Sequence, residues 1–91
     1  PMPINFKTIY FPQIKTIGFR AFYGCSKLKA AYFPQVKTIG EVAFLDCVRL
    51  ETAHFPQATT IICHAFEGCI NLKTIHFSQI KTIEFNLRCI F

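Results

Sequence analysis

The sequence predicts a solenoid of stacked coils that is mainly β, with short parallel strands joined by turns. The first observation is a seven-residue phrase, F-P-Q-I-K-T-I in its first copy, whose four copies each begin 22 residues after the previous one: residues 11–17, 33–39, 55–61 and 77–83. The second is the alternation of apolar and polar residues before each copy, and the third is an A-F-x-x-C-x-x-L string that follows the first three copies. A fixed period of this length is typical of a solenoid, because each repeat can bury its apolar positions only against its neighbours.

The length of the chain predicts one domain that extends over residues 1–91, with coils at approximately 7–28, 29–50, 51–72 and 73–91. Hydrophobic residues make up 52% of the chain and include 11 Phe, which is rich for a small chain that must cover its own core. We therefore expect a slice of a longer solenoid, with further coils or other chains stacked on both ends. The sequence contains no run of about 18 or more uncharged apolar residues, so we predict no membrane span.

The first element of each coil is predicted to be a short strand. In the second coil the apolar residues fall at Leu28, Ala31 and Phe33, and the last two are separated by one residue. Since successive side chains of a strand point to opposite faces, Ala31 and Phe33 are expected to point inward, and Ala30 and Tyr32 outward. The proline that follows has no N–H to donate and should end the strand.

The rest of the coil is predicted to contain a second extended stretch at residues 36–39, a corner and a turn. Gly40, like Gly18 one coil earlier, can adopt the positive φ that a sharp corner requires. Residues 43–47 are expected to form one helical or 3₁₀ turn, because Phe44 and Cys47 are three positions apart and share a face. The phenylalanines of this slot should form a buried ladder along the solenoid. The fourth coil breaks the pattern, because residues 85–89 lack the Ala-Phe pair.

The string L-x-x-x-x-F-P-Q-V-K-T-I-G-x-x-A-F-x-x-C-x-x-L, at residues 28–50, resembles the BspA-type leucine-rich repeats, also called the treponemal class. The resemblance extends over nearly the whole chain, although Phe replaces the usual Ile before Pro and Ser78 replaces one Pro. It implies a right-handed, curved leucine-rich-repeat solenoid with parallel strands on its inner side. It also implies a binding protein without enzymatic activity, often secreted or displayed on the cell surface, with a role in adhesion or protein recognition.

The charge pattern favours a solvated surface over a nucleic-acid site. Ten Lys and Arg against five Asp and Glu give a formal charge of +5, but the basic residues are scattered and form no block. Binding of nucleic acid typically uses a clustered basic stripe.

Catalysis is not expected either, since the two serines, Ser26 and Ser78, lack a glycine-flanked turn and the five acids have no recurring partner.

The cysteine and histidine residues do not predict a metal site or a cofactor. Cys25, Cys47 and Cys69 recur in register, which favours a ladder of buried, inert thiols over a disulfide framework. The densest cluster of potential ligands has poor spacing for zinc, because its first two members are adjacent and its last lies a whole strand later. Its members are Cys63, His64, Cys69 and His76.

The outward residues of the predicted inner strands are the candidate partner-binding site. Tyr and His side chains have an apolar body with a polar tip, which favours protein interfaces, and a solenoid usually makes its contacts on its concave side. The alternative is that these are only well-hydrated strand residues. The predicted set on the concave face is Thr8, Tyr10, Ala30, Tyr32, Thr52, His54, Thr74 and His76.

The sequence thus predicts a scaffold that binds a protein partner or mediates adhesion, without catalysis. Two other functions stay open: a structural subunit packed permanently in a larger multiprotein assembly, and a weak binder of polyanions or nucleic acid that uses the +5 charge. The family resemblance favours the cell surface or secretion, whereas an assembly inside the cell is also compatible with the cysteine content. The identity of the partner does not follow from the sequence.

Overall fold

The structure, a computed structural model, describes residues 7–77 and consists of two parallel sheets connected by turns. The strands alternate between the sheets along the chain. The first sheet has the order β1-β3-β5-β7 and the second has the order β2-β4-β6. The seven strands are β1 (Thr8–Tyr10), β2 (Thr16–Ile17), β3 (Ala30–Tyr32), β4 (Thr38–Ile39), β5 (Thr52–His54), β6 (Thr60–Ile61) and β7 (Thr74–His76).

The register of both sheets confirms the 22-residue period. Ala30 is paired with Thr52 in the first sheet, and Ile17 is paired with Ile39 in the second. Parallel neighbours cannot be joined by a tight hairpin, because the chain must return to the same end of the sheet. The remaining residues of each coil make that return, so the repeat length of the sequence is the length of one complete coil.

The predicted inward positions form one continuous core. Ala31 and Phe33 are fully buried, whereas Ala30 and Tyr32 are half-buried on the other face, as the alternation predicts. The phenylalanines of the predicted ladder stack along the solenoid. The ring centroid of Phe44 lies 5.2 Å from that of Phe22 and 5.2 Å from that of Phe66. A second ladder, in which Phe33 and Phe55 stack at 5.2 Å, packs edge-on against the first.

The segment at residues 43–47 is a pair of turns, and the described part of the chain contains no helix. The expected i to i−3 bonds do form, since Cys47 N–H donates to Phe44 C=O at 3.2 Å. The intervening amides instead donate to the next coil, as Phe44 N–H does to Ala65 C=O at 2.8 Å. Positive φ angles recur every 22 residues at two slots and stop a helix from continuing: Arg20, Val42 and His64, and Gly24, Asp46 and Gly68.

The glycine corner therefore has a different physical basis from the one that the sequence predicts. The positive φ angles lie two and six residues beyond the corner slot, and neither Gly18 nor Gly40 is among the positions that have one. Gly40 is buried against the preceding coil, and a Cβ atom added there would lie 2.8 Å from the carbonyl carbon of Gly18 and from the carbonyl oxygen of Ile17. Close approach of two backbones, and not a special dihedral angle, accounts for this glycine.

The three cysteines of the ladder carry free, buried thiols. Cys47 Sγ donates to the carbonyl oxygen of Phe22 at 3.1 Å, and Cys69 Sγ donates to that of Phe44 at the same distance. Burial, followed by the charge of neighbouring Cys47, raises the pKa of Cys25. The pKa of Cys47 is also raised, first by its interaction with the Cys69 side chain and then by burial. The ladder therefore joins consecutive coils through protonated thiols.

We expect iodoacetamide to leave Cys25, Cys47 and Cys69 unmodified in the folded protein at neutral pH and to alkylate all three after denaturation. The thiolate is the reactive species, and the raised pKa of Cys25 and of Cys47 reduces its population at those two residues. Cys69, whose pKa the hydrogen bond with Cys47 lowers, is protected by its burial alone. Peptide mapping by mass spectrometry before and after addition of guanidinium measures this directly. Rapid alkylation of Cys47 in the native state would contradict the buried ladder.

The sequence deviation at residues 85–89 lies outside the described residues. Within the part of the chain that the structure describes, we find no helix with the length and apolar character needed to cross a bilayer.

Candidate functional site

The outward residues of the first sheet lie together on one surface, which we call the strand face. The pairing places them in two columns that run across the four strands, and neighbouring members of a column come from consecutive coils. The small column consists of Thr8, Ala30, Thr52 and Thr74, and the ring column consists of Tyr10, Tyr32, His54 and His76. All eight predicted residues are thus brought together, and their binding of a partner stays a prediction.

Exposure across the strand face follows from the stacking. Tyr10, on the first strand, exposes 64% of its surface. Tyr32 and His54 lie on the two central strands and are half-buried, because each has a ring neighbour on one or both sides. His76, on the last described strand, is exposed. The surface therefore offers ring faces and polar ring atoms to solvent on a backbone that is fixed by interstrand hydrogen bonds.

The ring column is held by contacts between its own members. The ring centroids of Tyr32 and His54 lie 5.9 Å apart, and those of His54 and His76 lie 4.8 Å apart with an interplanar angle of 66°. This edge-to-face arrangement is a favourable one for aromatic rings. The two histidines also form a hydrogen bond between their Nδ1 atoms at 3.2 Å, in which one ring donates and the other accepts.

One ion pair borders the small column. Lys29 Nζ and Glu51 Oε2 lie 3.9 Å apart, at the positions directly before β3 and β5. Both side chains are substantially exposed, with 52% and 39% of their surface accessible, so the pair contributes no more than about 1 kcal/mol to stability. The slots directly before the four strands hold Lys7, Lys29, Glu51 and Lys73, so this border of the strand face has an excess of positive charge.

A second candidate surface lies beside the other sheet. A shallow depression of about 370 Å³ is lined by two lysines, two glutamine amides and a proline: Lys15, Lys37, Gln35, Gln57 and Pro34. Ammonium and amide N–H groups are suitable donors for an anion. The lysine column does not continue into the next coil, where Thr59 takes the place and donates its hydroxyl to the backbone carbonyl of Lys37 at 3.4 Å.

The sequence reasoning missed an aromatic cluster in the first coil. Arg20 lies over the ring of Tyr23, with its guanidinium carbon 4.5 Å from the ring centroid, and 5.9 Å from that of Phe19. Phe19 and Tyr23 expose 65% and 43% of their surface. Comparison of equivalent slots could have found the cluster, since the second coil places Glu41 and Leu45 there and the third coil places Cys63 and Glu67. Large exposed rings at slots where other coils have different residues are not needed to build the coil.

The zinc cluster considered from the sequence does not come together as a site. Within residues 7–77, no group of three or more His, Cys, Asp or Glu side chains is placed to hold a metal ion. His64 Nδ1 instead lies 2.6 Å from Glu67 Oε1, and the buried Cys69 thiol donates a hydrogen bond to the carbonyl oxygen of Phe44. His76 contacts His54 on the strand face.

A family model described as BspA type leucine rich repeat region matches residues 2–87 of the chain and is built of six copies of the repeat. No curated protein matches the chain.

Among solved structures, the crystal structure of a leucine rich repeat protein from T. pallidum is similar to this one, with a TM-score of 0.72 and 30% sequence identity. The match extends over 76% of this chain and 36% of the treponemal chain, so the present chain corresponds to about a third of that protein's length. The predicted repeat class and solenoid architecture are thereby confirmed.

Proposed function

Because the chain belongs to the BspA-type leucine-rich repeat family, we propose that it is a protein-binding solenoid without catalytic activity and that it contacts a protein partner through the strand face. Leucine-rich repeat solenoids typically serve as scaffolds for binding or adhesion, and their repeats expose extended surfaces. The finer assignment, to the strand face and to a protein partner, rests on the contacts and exposure of the described residues.

The ring column is the observation that carries the proposal. Tyr and His present large apolar ring surfaces together with hydroxyl or imidazole groups, a combination that is enriched at protein interfaces. Four such rings lie side by side on consecutive strands. Their backbones are already ordered by the sheet, so a partner that binds there loses little conformational entropy on the solenoid side.

Variation among the coils supports the same surface. The inward slots repeat closely, as with Phe33 and Phe55, because they must stack upon each other. The ring column changes from Tyr32 to His54 between the same two coils, although the strand positions remain paired. Packing of the coils requires phenylalanine at the inward slot, but it does not require a particular residue type in the ring column. The ring column is therefore available for recognition.

A photo-crosslinking experiment tests the proposal. The photoreactive residue benzoylphenylalanine is introduced in place of Tyr32 or, as a control, in place of Tyr23 on the turn side of the coil. We expect a discrete protein adduct from cells of the source organism with the first variant and not with the second. An adduct formed only from position 23 would move the contact surface to the aromatic cluster.

The partner captured in this way then allows a quantitative test with matched double variants. Replacing Tyr32 and His54 by serine should weaken binding by at least about tenfold, because central aromatic residues of an interface each contribute about 1–2 kcal/mol or more. Replacing Tyr23 and His64 by serine makes the same chemical changes elsewhere and should leave the affinity within about twofold. Unchanged binding of the first variant, with both variants folded, would overturn the assignment of the strand face.

The lysine and glutamine depression supports polyanion binding as a second candidate function. A polyanion held by Lys15 and Lys37 would dissociate steeply as salt is raised, because its counterions are released on binding. A protein contact centred on the ring column would be less sensitive to salt, because burial of ring surface does not release counterions. A structural subunit would behave differently from both, since it would co-purify with its assembly at every salt concentration.

A further inference from the structure

We propose that His54 and His76 form a two-ligand site for a divalent transition-metal ion of the zinc class on the strand face. The two Nδ1 atoms face each other across neighbouring strands at 3.2 Å. Their sheet positions are directly paired, so the backbone fixes the separation of the two side chains. The metal site depends on this geometry alone and is independent of the proposed protein contact.

The distance between the nitrogens suits a chelated ion. Zinc binds imidazole nitrogen at about 2.0–2.1 Å, and two such bonds to atoms 3.2 Å apart enclose an angle of about 100–105° at the metal, close to the tetrahedral value. The hydrogen bond holds the two Nδ1 atoms next to each other, so chelation requires only that each ring turns its lone pair from the other nitrogen toward the metal. When the metal replaces the shared proton, that proton moves to Nε2 of the donating ring, and both rings become neutral Nδ1 ligands.

The surroundings leave the remaining coordination positions open. His76 is exposed and His54 is half-buried, so water or a donor from another molecule can approach from the solvent side. Imidazole is a ligand that zinc, copper and nickel accept, whereas magnesium and calcium prefer oxygen. Two protein ligands do not make a closed structural centre. They make a chelating pair of moderate affinity on the last two described strands of the strand face.

The pair is also specific to one place in the repeat. The equivalent slots of the two preceding strands hold Tyr10 and Tyr32, so histidine occurs in this column only where two consecutive coils supply it side by side. The third histidine, His64, lies in a turn and contacts Glu67. It therefore serves as an internal control for metal binding by an exposed imidazole elsewhere on the chain.

Isothermal titration of the purified chain with Zn²⁺ at neutral pH tests the site, with Mg²⁺ as the comparison ion. We expect one zinc ion per chain, no heat with Mg²⁺, and a loss of affinity of more than about tenfold in His54→Ala or His76→Ala, since even residues behind a ligand typically contribute about 10–100-fold. His64→Ala should bind as the unchanged chain does. Equal zinc affinity in all three variants, or no binding by the unchanged chain, would overturn the proposal.

A measurement on the unmodified chain keeps the test independent of variant folding. Long-range ¹H–¹⁵N NMR spectra report each imidazole nitrogen separately, and addition of Zn²⁺ should shift the Nδ1 signals of both His54 and His76 in parallel. A shift confined to His64, or one that affects Nε2 atoms only, would contradict chelation by the Nδ1 pair.

Discussion

Replacing Phe44 by alanine is expected to lower the free energy of unfolding by about 3–5 kcal/mol, the usual cost of truncating a buried phenylalanine. Phe44 is fully buried in the second coil and stacks on Phe22 and on Phe66, with both centroid separations at 5.2 Å. It also meets the second ladder edge-on, through Phe33 and Phe55. A cavity at this point therefore loosens three coils at once.

Thermal and chemical unfolding of Phe44→Ala measures the effect, and Phe19→Ala is the matched control. Phe19 exposes 65% of its surface, so its truncation should change stability by no more than about 0.5 kcal/mol. Since small domains are stable by only about 5–15 kcal/mol, Phe44→Ala should melt far below the unchanged chain or fail to fold at ordinary temperature. Equal melting of the two variants would contradict the stacked register.

The strands and the core follow from two periods in the sequence. Alternation of period two assigns Ala31 and Phe33 to the inner face, and the 22-residue repeat then assigns the same slots of every described coil. Both inferences hold because a shift of the strand register by one residue would expose the apolar side chains and bury the polar ones. Local pattern and long-range stacking therefore have only one common solution in this part of the coil.

The turn after the corner could not be predicted in the same way. Phe44 and Cys47 lie three residues apart, and this spacing places them on one face both in a helix and in a row of stacked turns. The difference lies in where the amides donate, and Phe44 N–H donates to Ala65 of the next coil. A pattern within one coil contains no information about that long-range choice.

The candidate site divides along a similar line. Membership of the strand face follows from strand alternation alone, which is enough to place Tyr32 and His54 on one surface. The Nδ1 contact between His54 and His76 depends on side-chain rotamers, and several rotamers are compatible with the same sequence. Comparison of the coils could have identified Phe19 and Tyr23 as residues at slots that do not repeat, but it could not predict that Arg20 lies over both rings, which again depends on rotamers.

Replacing Gly40 by alanine is expected to destabilise the protein by about 1–3 kcal/mol, the usual cost of forcing extra atoms into a packed region. The added methyl group would lie 2.8 Å from two backbone atoms of the first coil, the carbonyl carbon of Gly18 and the carbonyl oxygen of Ile17. Backbone cannot rotate away as a flexible side chain can. The Gly40 N–H also donates a hydrogen bond to the carbonyl oxygen of Ile17 at 2.8 Å, so a separation of the two coils would stretch that bond.

Gly18→Ala is the matched control, because it places the same methyl group at the same slot one coil earlier, where no heavy atom lies within 4 Å. Its φ is not positive, so alanine should be tolerated there and should stabilise the protein by as much as about 1 kcal/mol through the unfolded state. The two variants are thus expected to shift the melting temperature in opposite directions. At the next corner Ile62 exposes 39% of its surface, so the slot itself admits a side chain that points to solvent. Equal melting of Gly40→Ala and Gly18→Ala would mean that close backbone approach does not account for Gly40.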